Sequence, residues 1–199
     1  AGDGDMQEGV TSEAASLAGH QKLGNLVVIY DSNQISIEDD TNIAFTENLT
    51  ARYESYGWHT QTVDWKKTGK YVEDIQELYE AIEKAKAVTD KPSLITLRTI
   101  IGWPSPKKQN TGKIHGSALG AEELAGLKTA LGFDPEKTFD VAPEVIEHTR
   151  TNSKNRAEQN RSAWQTKFDA WASANPEKKA LFDRVQSGLA PENIAEVIP

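Results

Sequence analysis

The sequence predicts an α/β fold with a parallel sheet, followed by a helical C-terminal extension. From residue 11 to residue 101, helical patterns alternate with short apolar strands. The run Leu26–Tyr30 is apolar without alternation, which is typical of a parallel strand buried on both faces. After residue 120 the chain is mostly helical and polar. Alternating helices and strands predict right-handed crossover units, which build a parallel sheet.

The first helix and strand set this pattern. Thr11–Lys22 is rich in Ala, Glu and Leu and predicts a helix. Leu26–Tyr30 predicts the first strand, which ends at the polar residues Asp31, Ser32 and Asn33. The following elements are a short strand over Ile35–Ile37, a helix over Asn48–Tyr56, a strand over Trp58–Val63, an amphipathic helix over Tyr71–Ala87 and a buried strand over Ser93–Ile101.

The chain changes character after the last of these strands. Residues 102–120 form a loop rich in glycine and proline, and a loop of that length is usually functional or disordered. Helical patterns then cover Ala121–Leu131, Pro143–Ala174 and Pro176–Gly188. We therefore predict a globular region over residues 1–140, a helical extension over 141–188 and a linker over 189–199.

The composition excludes several classes of protein. The chain has 22 basic and 30 acidic side chains, a net charge of −8 and no cysteine. The missing cysteines exclude a disulfide-stapled secreted module and a thiolate metal site. A negative chain with few basic clusters is a poor binder of nucleic acid, and no apolar run approaches the roughly 18 residues that span a membrane. The sequence fits a cytoplasmic protein that binds neither nucleic acid nor membrane.

The segment Gly2-Asp3-Gly4 is the first candidate site. Glycines let backbone N–H groups approach an anion, but the Asp3 carboxylate would repel a phosphate unless a divalent cation lay between them. Asn33 follows the next strand, and the carboxyl ends of neighbouring parallel strands meet at one edge of a sheet. Carboxylate and amide oxygens suit Mg²⁺, which takes further ligands from phosphates and water. From these residues alone, an ordinary surface turn stays open as the alternative.

The residues around these positions resemble transketolases. A Gly-Asp-Gly followed, one strand later, by Asn is similar to the thiamine-diphosphate-binding motif, which indicates a superfamily. The more specific stretches are Gly2–Gly9, Ser12–His20, Ile29–Asn33 with Ile35–Ile37, Arg52–Trp58, Ile101-Gly102 and His115-Gly116. The loop over residues 102–120 resembles that of bacterial members. The resemblance covers the whole chain and is weakest after residue 150.

The resemblance implies a ligand set for the site. Residues 1–140 would be part of a thiamine diphosphate-binding domain, and the linker would lead to a pyrimidine-binding domain. The ligands of Mg²⁺ or Ca²⁺ would be Asp3, Asn33 and the Ile35 carbonyl. The residues that contact the cofactor would be Gly4, Asn33, Ile35, Ile37, Ile101 and His115.

The resemblance also implies three catalytic residues. His115 would contact the diphosphate and the substrate, and an imidazole with an ordinary pKa of about 6.5 suits proton transfer at the reacting oxygen. Glu8 and Glu13 would lie in a carboxylate network at a dimer interface. Without the resemblance, the two glutamates are explained as helix first-turn acids, and His115 as a solvated loop histidine.

The resemblance further implies the reaction and the partners. A homodimer would transfer a two-carbon ketol group from a ketose phosphate to an aldose phosphate. A related ketol transferase, such as a dihydroxyacetone synthase, stays open, as does a non-catalytic module with a structural or interaction role. In transketolases a strand precedes Gly-Asp-Gly, and a later domain supplies the acid that activates the cofactor. We therefore expect these 199 residues to need the remaining transketolase polypeptide for stable folding and activity.

Overall fold

The computed structural model describes residues 1–191 and 193–194, so part of the predicted linker (192 and 195–199) lies outside the described residues. The chain forms two compact units, Ala1–Thr138 and Phe139–Pro199. Among the described residues, no helix has the length and apolar character needed to cross a membrane.

The first unit contains a parallel sheet and the helices that cover it. Its helices are α1 (Asp3–Gln7), α2 (Gly9–His20), α3 (Leu49–Ser55), α4 (Ile75–Ala87) and α5 (Ala121–Ala130). Its strands are β1 (Val27–Ser32), β2 (Ile35–Ser36), β3 (Asp39–Asp40), β4 (His59–Asp64) and β5 (Ser93–Arg98). Short 3₁₀ helices lie at Thr41–Ile43 and Gly112–Ile114. The pair β2–β3 forms a small antiparallel ribbon of its own.

The parallel sheet has the strand order β1-β5-β4. Its central strand β5 is buried from Ser93 to Leu97 because helices cover both faces. Val27, Val28 and Ile29 of β1 are only partly buried, contrary to the expectation of a strand buried on both faces. On the edge of β1 away from β5, the described pairing is a parallel bridge between Gly2 and Asp31. This bridge places the start of α1 beside the carboxyl end of β1.

Two hydrophobic clusters lie on opposite faces of the sheet. Leu94 and Ile95 are neighbours in β5 but belong to different clusters, because successive strand residues point to opposite faces. The cluster on the α2 and α3 side contains Met6, Ala15, Ala18, Tyr30, Leu49, Tyr53, Trp58 and Leu94. The cluster on the α4 side contains Val63, Ala81, Ala85, Ile95 and Leu97.

The predicted elements of the first unit are present, with shifted ends. Strand β1 continues to Ser32, where it pairs with Arg98, and β5 ends at that same pair rather than at Ile101. The helix predicted from Thr11 begins at Gly9, and the short helix α1 that precedes it was not predicted. Glu8 separates the two helices because its backbone is extended, with φ −66° and ψ 135°.

The second unit consists of α6 (Pro143–Ala174) and α7 (Pro176–Gln186) among its described residues. Each helix begins with proline at its first turn, where the missing N–H group has no helical partner to lose. The Phe168 ring stacks on Trp164 at 4.8 Å between centroids and lies 5.4 Å from Phe182 of α7. These aromatic side chains therefore pack the two helices together.

We expect two glycines of α2 to respond differently to alanine. A Cβ at residue 19 would lie 1.9 Å from the Tyr56 carbonyl oxygen, whereas a Cβ at residue 9 would meet no atom within 4 Å. Gly19→Ala should lower the free energy of unfolding by about 1–3 kcal/mol, because α2 must move away from the end of α3. Gly9→Ala should change it by less than about 1 kcal/mol. Denaturant titration measures both values, and equal effects would contradict the close packing at Gly19.

Candidate functional site

A buried carboxylate lies at the carboxyl edge of the sheet. Asp3 is the first residue of α1, and only 3% of its surface is exposed. One carboxylate oxygen accepts a hydrogen bond from the Tyr30 hydroxyl at 2.7 Å. The other accepts from the backbone N–H groups of Asn33 and Gln34 at 3.2 and 3.1 Å. These donors hold the carboxylate at the point where β1 ends.

The surroundings of Asp3 suit a positively charged ligand. Burial raises the pKa of Asp3 above its ordinary value, the hydrogen bonds from Tyr30, Gln34 and Asn33 oppose the rise, and the nearby charge of Asp31 adds to it. Burial also raises the pKa of Tyr30, so its hydroxyl stays protonated and donates. A cation beside Asp3 would favour the ionised carboxylate and offset the cost of burying its charge.

The loop after β1 brings the Asn33 side chain and two backbone N–H groups close to Asp3. The Asn33 side chain is 8% exposed, and its oxygen accepts a hydrogen bond from the Ile35 N–H at 3.0 Å. Its amide nitrogen donates to the Asp31 carboxylate at 3.4 Å. Gln34 has a left-handed backbone with φ 66°, which turns the chain so that residues 33 and 34 both donate to Asp3. The loop therefore fixes the orientation of the Asn33 amide.

Gly4 keeps space open between α1 and this loop. A Cβ at residue 4 would lie 3.0 Å from the Ser36 hydroxyl oxygen, closer than about nine in ten such contacts in proteins, so that the Ser36 side chain would have to shift. In the part of the chain that the structure describes, no group of three or more His, Cys, Asp or Glu side chains could hold a metal ion. A metal at Asp3 and Asn33 would therefore take further ligands from a bound phosphate and water, which is how Mg²⁺ is commonly held.

The three isoleucines predicted to contact the cofactor have different surroundings. Ile35 is 9% exposed and directly follows the Asn33 turn. Ile37 is 70% exposed, and its backbone is left-handed with φ 59°. Ile101 is partly buried and follows the end of β5. Of the three, Ile35 therefore lies directly beside Asn33.

The three residues predicted to be catalytic are all exposed. Glu8 lies in the extended turn between α1 and α2, and Glu13 lies on α2. His115 directly follows the 3₁₀ helix Gly112–Ile114 in the long loop. Within the described residues, no side-chain hydrogen bond joins these three residues to Asp3.

A polar cavity of about 420 Å³ lies between the loop after β1 and the loop that leads to His115. Asn33, Ile35 and Lys66 line one part of it, and Asn110 and Gly112 line another. A Cβ at residue 112 would lie 1.9 Å from the Glu38 carbonyl oxygen, so the two loops touch at a position that requires glycine. The segment before His115 therefore lies beside the Asp3–Asn33 cluster.

Sequence reasoning missed two buried polar residues of this region. The Tyr30 hydroxyl is the only polar side-chain group in the run Leu26–Tyr30. A polar group in a buried strand needs a hydrogen-bond partner, so this hydroxyl was the signal that the sequence offered. Glu123 is 7% exposed and accepts hydrogen bonds from residues in the long loop. Its position in a predicted helix gave no signal, because those partners lie in another segment.

The comparison with protein families decides to which family the chain belongs. Residues 1–191 match the family model described as transketolase, thiamine diphosphate binding domain. The chain belongs to this family. A transketolase of Mycobacterium tuberculosis is 54% identical over 192 residues, which cover 96% of this chain and 26% of that protein. A Nostoc transketolase is 42% identical over 100% of this chain and 28% of its own length.

Solved transketolase structures share the fold. The structure from Leishmania mexicana has a TM-score of 0.82 and 37% identity, and a variant from Pichia stipitis has 0.79 and 42%. Both comparisons cover 100% of this chain and 28% of the solved chain. The predicted family and the predicted parallel α/β fold are therefore confirmed. The chain spans about a quarter of the length of the curated relatives it matches.

We expect Tyr30→Phe to destabilise the metal-free protein at neutral pH. The substitution removes a donor from a buried carboxylate, which costs about 1–3 kcal/mol, and it raises the pKa of Asp3 further. Because the lost hydrogen bond favours the ionised carboxylate, the loss should be largest above the pKa of Asp3 and shrink as the pH falls through it. Denaturant titration over a pH series measures the free energy of unfolding.

Tyr53→Phe is the matched control for this measurement. Tyr53 is also buried, but its hydroxyl donates to the Met6 sulfur at 3.6 Å and not to a carboxylate. We expect its loss to be small and independent of pH. A loss in Tyr30→Phe that stayed constant over the pH series would show that the hydroxyl does not act on the Asp3 charge.

Proposed function

We propose that this chain is the metal- and diphosphate-binding part of a transketolase. The enzyme would transfer a two-carbon ketol group from a ketose phosphate to an aldose phosphate. The observation that carries the proposal is the buried Asp3 carboxylate against the Asn33 loop, in a member of this cofactor-binding family. Pichia stipitis transketolase has been crystallised with xylulose, fructose and sedoheptulose phosphates, which supports sugar phosphates as the substrate class.

The residues at the sheet edge fit a divalent cation bound together with a diphosphate. We propose Asp3, Asn33 and the Ile35 carbonyl as ligands of Mg²⁺ or Ca²⁺. Asp3 supplies the only negative charge of this set, so it balances the largest part of the metal charge. Gly4 and Asn33 would contact the diphosphate, since a side chain at residue 4 would narrow the cradle. Thiamine diphosphate, when bound, supplies the electron sink that lets a bond next to a carbonyl break and form.

The remaining site residues have proposed roles around this cation. Ile35, Ile37 and Ile101 would line the apolar part of the cofactor pocket. His115 would contact the diphosphate and move a proton at the reacting oxygen of the substrate. Its exposure and its place near the cavity next to Asn33 support this role.

The assembly is part of the same proposal. Glu8 and Glu13 are exposed, so their carboxylates are free to enter a network at the interface of a homodimer. We propose that residues 1–140 belong to the cofactor domain, that 141–188 form an extension, and that 189–199 lead to a pyrimidine-binding domain. We also propose a cytoplasmic location.

Asp3→Asn in the complete enzyme should strongly weaken metal-dependent binding of thiamine diphosphate. The substitution removes the only charged metal ligand, so the loss should exceed the roughly 10–100-fold that follows removal of an outer-shell partner. Calorimetric titration with thiamine diphosphate at fixed Mg²⁺ measures the affinity.

Asp5→Asn is the matched control, since it makes the same charge change on the same helix. Asp5 is exposed, and its carboxylate accepts a hydrogen bond from the Gly2 N–H at 2.7 Å that an asparagine oxygen can also accept. We expect an affinity close to that of the unaltered enzyme. Unchanged affinity in Asp3→Asn as well would exclude Asp3 as a metal ligand.

His115→Ala should lower turnover more than it lowers cofactor occupancy. A positioned acid or base contributes about 10²–10⁴ to the rate, whereas the diphosphate keeps its metal contacts in this variant. Steady-state kinetics and assay of bound thiamine diphosphate give the two values, with the exposed His20→Ala as control. Loss of occupancy with unchanged turnover per bound cofactor would make His115 a cofactor anchor instead.

A further inference from the structure

Glu123 lies at the base of the loop that carries His115. It is in the first turn of α5, and 7% of its surface is exposed. One carboxylate oxygen accepts hydrogen bonds from the Ser105 hydroxyl and from the N–H groups of Lys107 and Lys108, the latter two at 2.7 and 3.0 Å. These donors, Ser105 first, lower the pKa of Glu123 below its ordinary value, so the carboxylate is ionised at neutral pH.

A second contact closes the same loop. The Lys108 ammonium donates to the Leu119 carbonyl at 2.8 Å and to the Ala118 carbonyl at 3.4 Å. Since Glu123 binds the backbone of the same lysine, one cluster joins residues 105–108 to residues 118–123. The segment between them, which includes His115, is therefore held at both of its ends.

No hydrophobic core anchors this loop in place of the cluster. Ser105 is fully buried, but no residue from 106 to 120 is, and the structure describes all of them. The outer part of the loop packs against its own start at Gly102 and against the loop after β1 at Gly112. A Cβ at Gly102 would lie 2.1 Å from the Ile114 side chain, and one at Gly112 would meet the Glu38 carbonyl. These contacts place the turn before His115, and the Glu123 cluster holds the chain that reaches it.

The adjacent Glu122 provides a comparison within the same helix turn. Its side chain is 86% exposed, and it pairs with the Lys107 ammonium at 2.5 Å. An exposed ion pair of this kind contributes little to stability. Loss of Glu122 therefore changes the charge as much as loss of Glu123 does, but it frees no backbone N–H group of the loop.

We propose that Glu123 is a positioning residue for His115: its carboxylate holds residues 105–120 in the arrangement that presents the imidazole to the substrate. The inference rests on the proposed role of His115. Glu123 acts through the loop backbone and does not touch the substrate. Without its carboxylate, the freed N–H groups turn to solvent, and the imidazole spends less time in the productive geometry.

A double-mutant cycle in the complete enzyme tests this coupling. We expect Glu123→Ala to lower kcat/KM for a ketose phosphate about tenfold when His115 is present, and less than about twofold in the His115→Ala background. Positioning has no effect once the imidazole is gone, so the two losses must differ. Equal losses in both backgrounds would overturn the inference. Glu122→Ala should leave kcat/KM unchanged in either background.

Hydrogen exchange reports on the loop without relying on activity. The amides of Lys107 and Lys108 should exchange at least about tenfold faster in Glu123→Ala and at the unaltered rate in Glu122→Ala. Glu123→Gln keeps the side-chain length and an acceptor oxygen. Both the protection of these amides and kcat/KM should therefore lie between those of Glu123→Ala and those of the unaltered enzyme. If Glu123→Ala does not fold, Glu123→Gln takes its place in both measurements.

These two measurements separate the possible failures. Unchanged exchange in both Glu123 variants would overturn the hydrogen-bonded cluster as the anchor of the loop. If exchange rises as expected but His115→Ala alone leaves kcat/KM unchanged, the proposed role of His115 is wrong, and Glu123 positions the loop without positioning a catalytic group. The inference is supported only if the loop amides exchange faster in Glu123→Ala and the loss of kcat/KM in that variant depends on the presence of His115.

Discussion

A buried negative charge at the end of the sheet is the constraint on which the site depends. Asp3 is nearly inaccessible, and an ionised carboxylate in such a place is costly unless donors or a cation surround it. Several local features serve this one group: the Tyr30 hydroxyl at the end of β1, the left-handed turn at Gln34, and the absence of a side chain at Gly4. The hydrogen bonds offset part of the cost, but the pKa of Asp3 stays raised. The buried carboxylate therefore costs stability in the metal-free protein, and a cation bound beside it, as proposed above, would offset that cost.

The parallel sheet explains why this charge lies where it does. The Gly2–Asp31 bridge aligns the start of α1 with the end of β1, so Asp3 and Asn33 meet although a helix and a strand separate them in the chain. Parallel strands end at a common edge, and that edge is where open α/β sheets bind ligands. The same topology brings the loop after β5 to this edge, where Gly112 touches the Glu38 carbonyl. Position in the sheet, more than any single contact, gathers the polar groups.

The sequence predicted the features that depend on local pattern. Continuous apolar runs indicated the parallel strands, periodicity indicated the helices, and strand order placed Asp3 near Asn33. The end of β5 was not predictable because it depends on where β1 stops pairing. The break between α1 and α2 at Glu8 was not predictable because it depends on how α1 packs. The partners of Tyr30 and Glu123 are distant in the sequence, so no periodic pattern of residues predicts these contacts. The roles of all the proposed site residues stay predictions, since they concern a metal, a cofactor, a substrate and a second subunit. These residues are Asp3, Gly4, Asn33, Ile35, Ile37, Ile101, Glu8, Glu13 and His115.

Two buried carboxylates of the same unit illustrate how a fold assigns different tasks to one functional group. Asp3 and Glu123 each accept three hydrogen bonds, yet their pKa values move in opposite directions. At Asp3 desolvation outweighs the donors, so the ionised form is incompletely satisfied by the protein and can gain from a cation. At Glu123 the donors outweigh desolvation, so the protein itself satisfies the ionised form. The balance between donors and burial therefore separates a carboxylate suited to binding from one suited to ordering a loop.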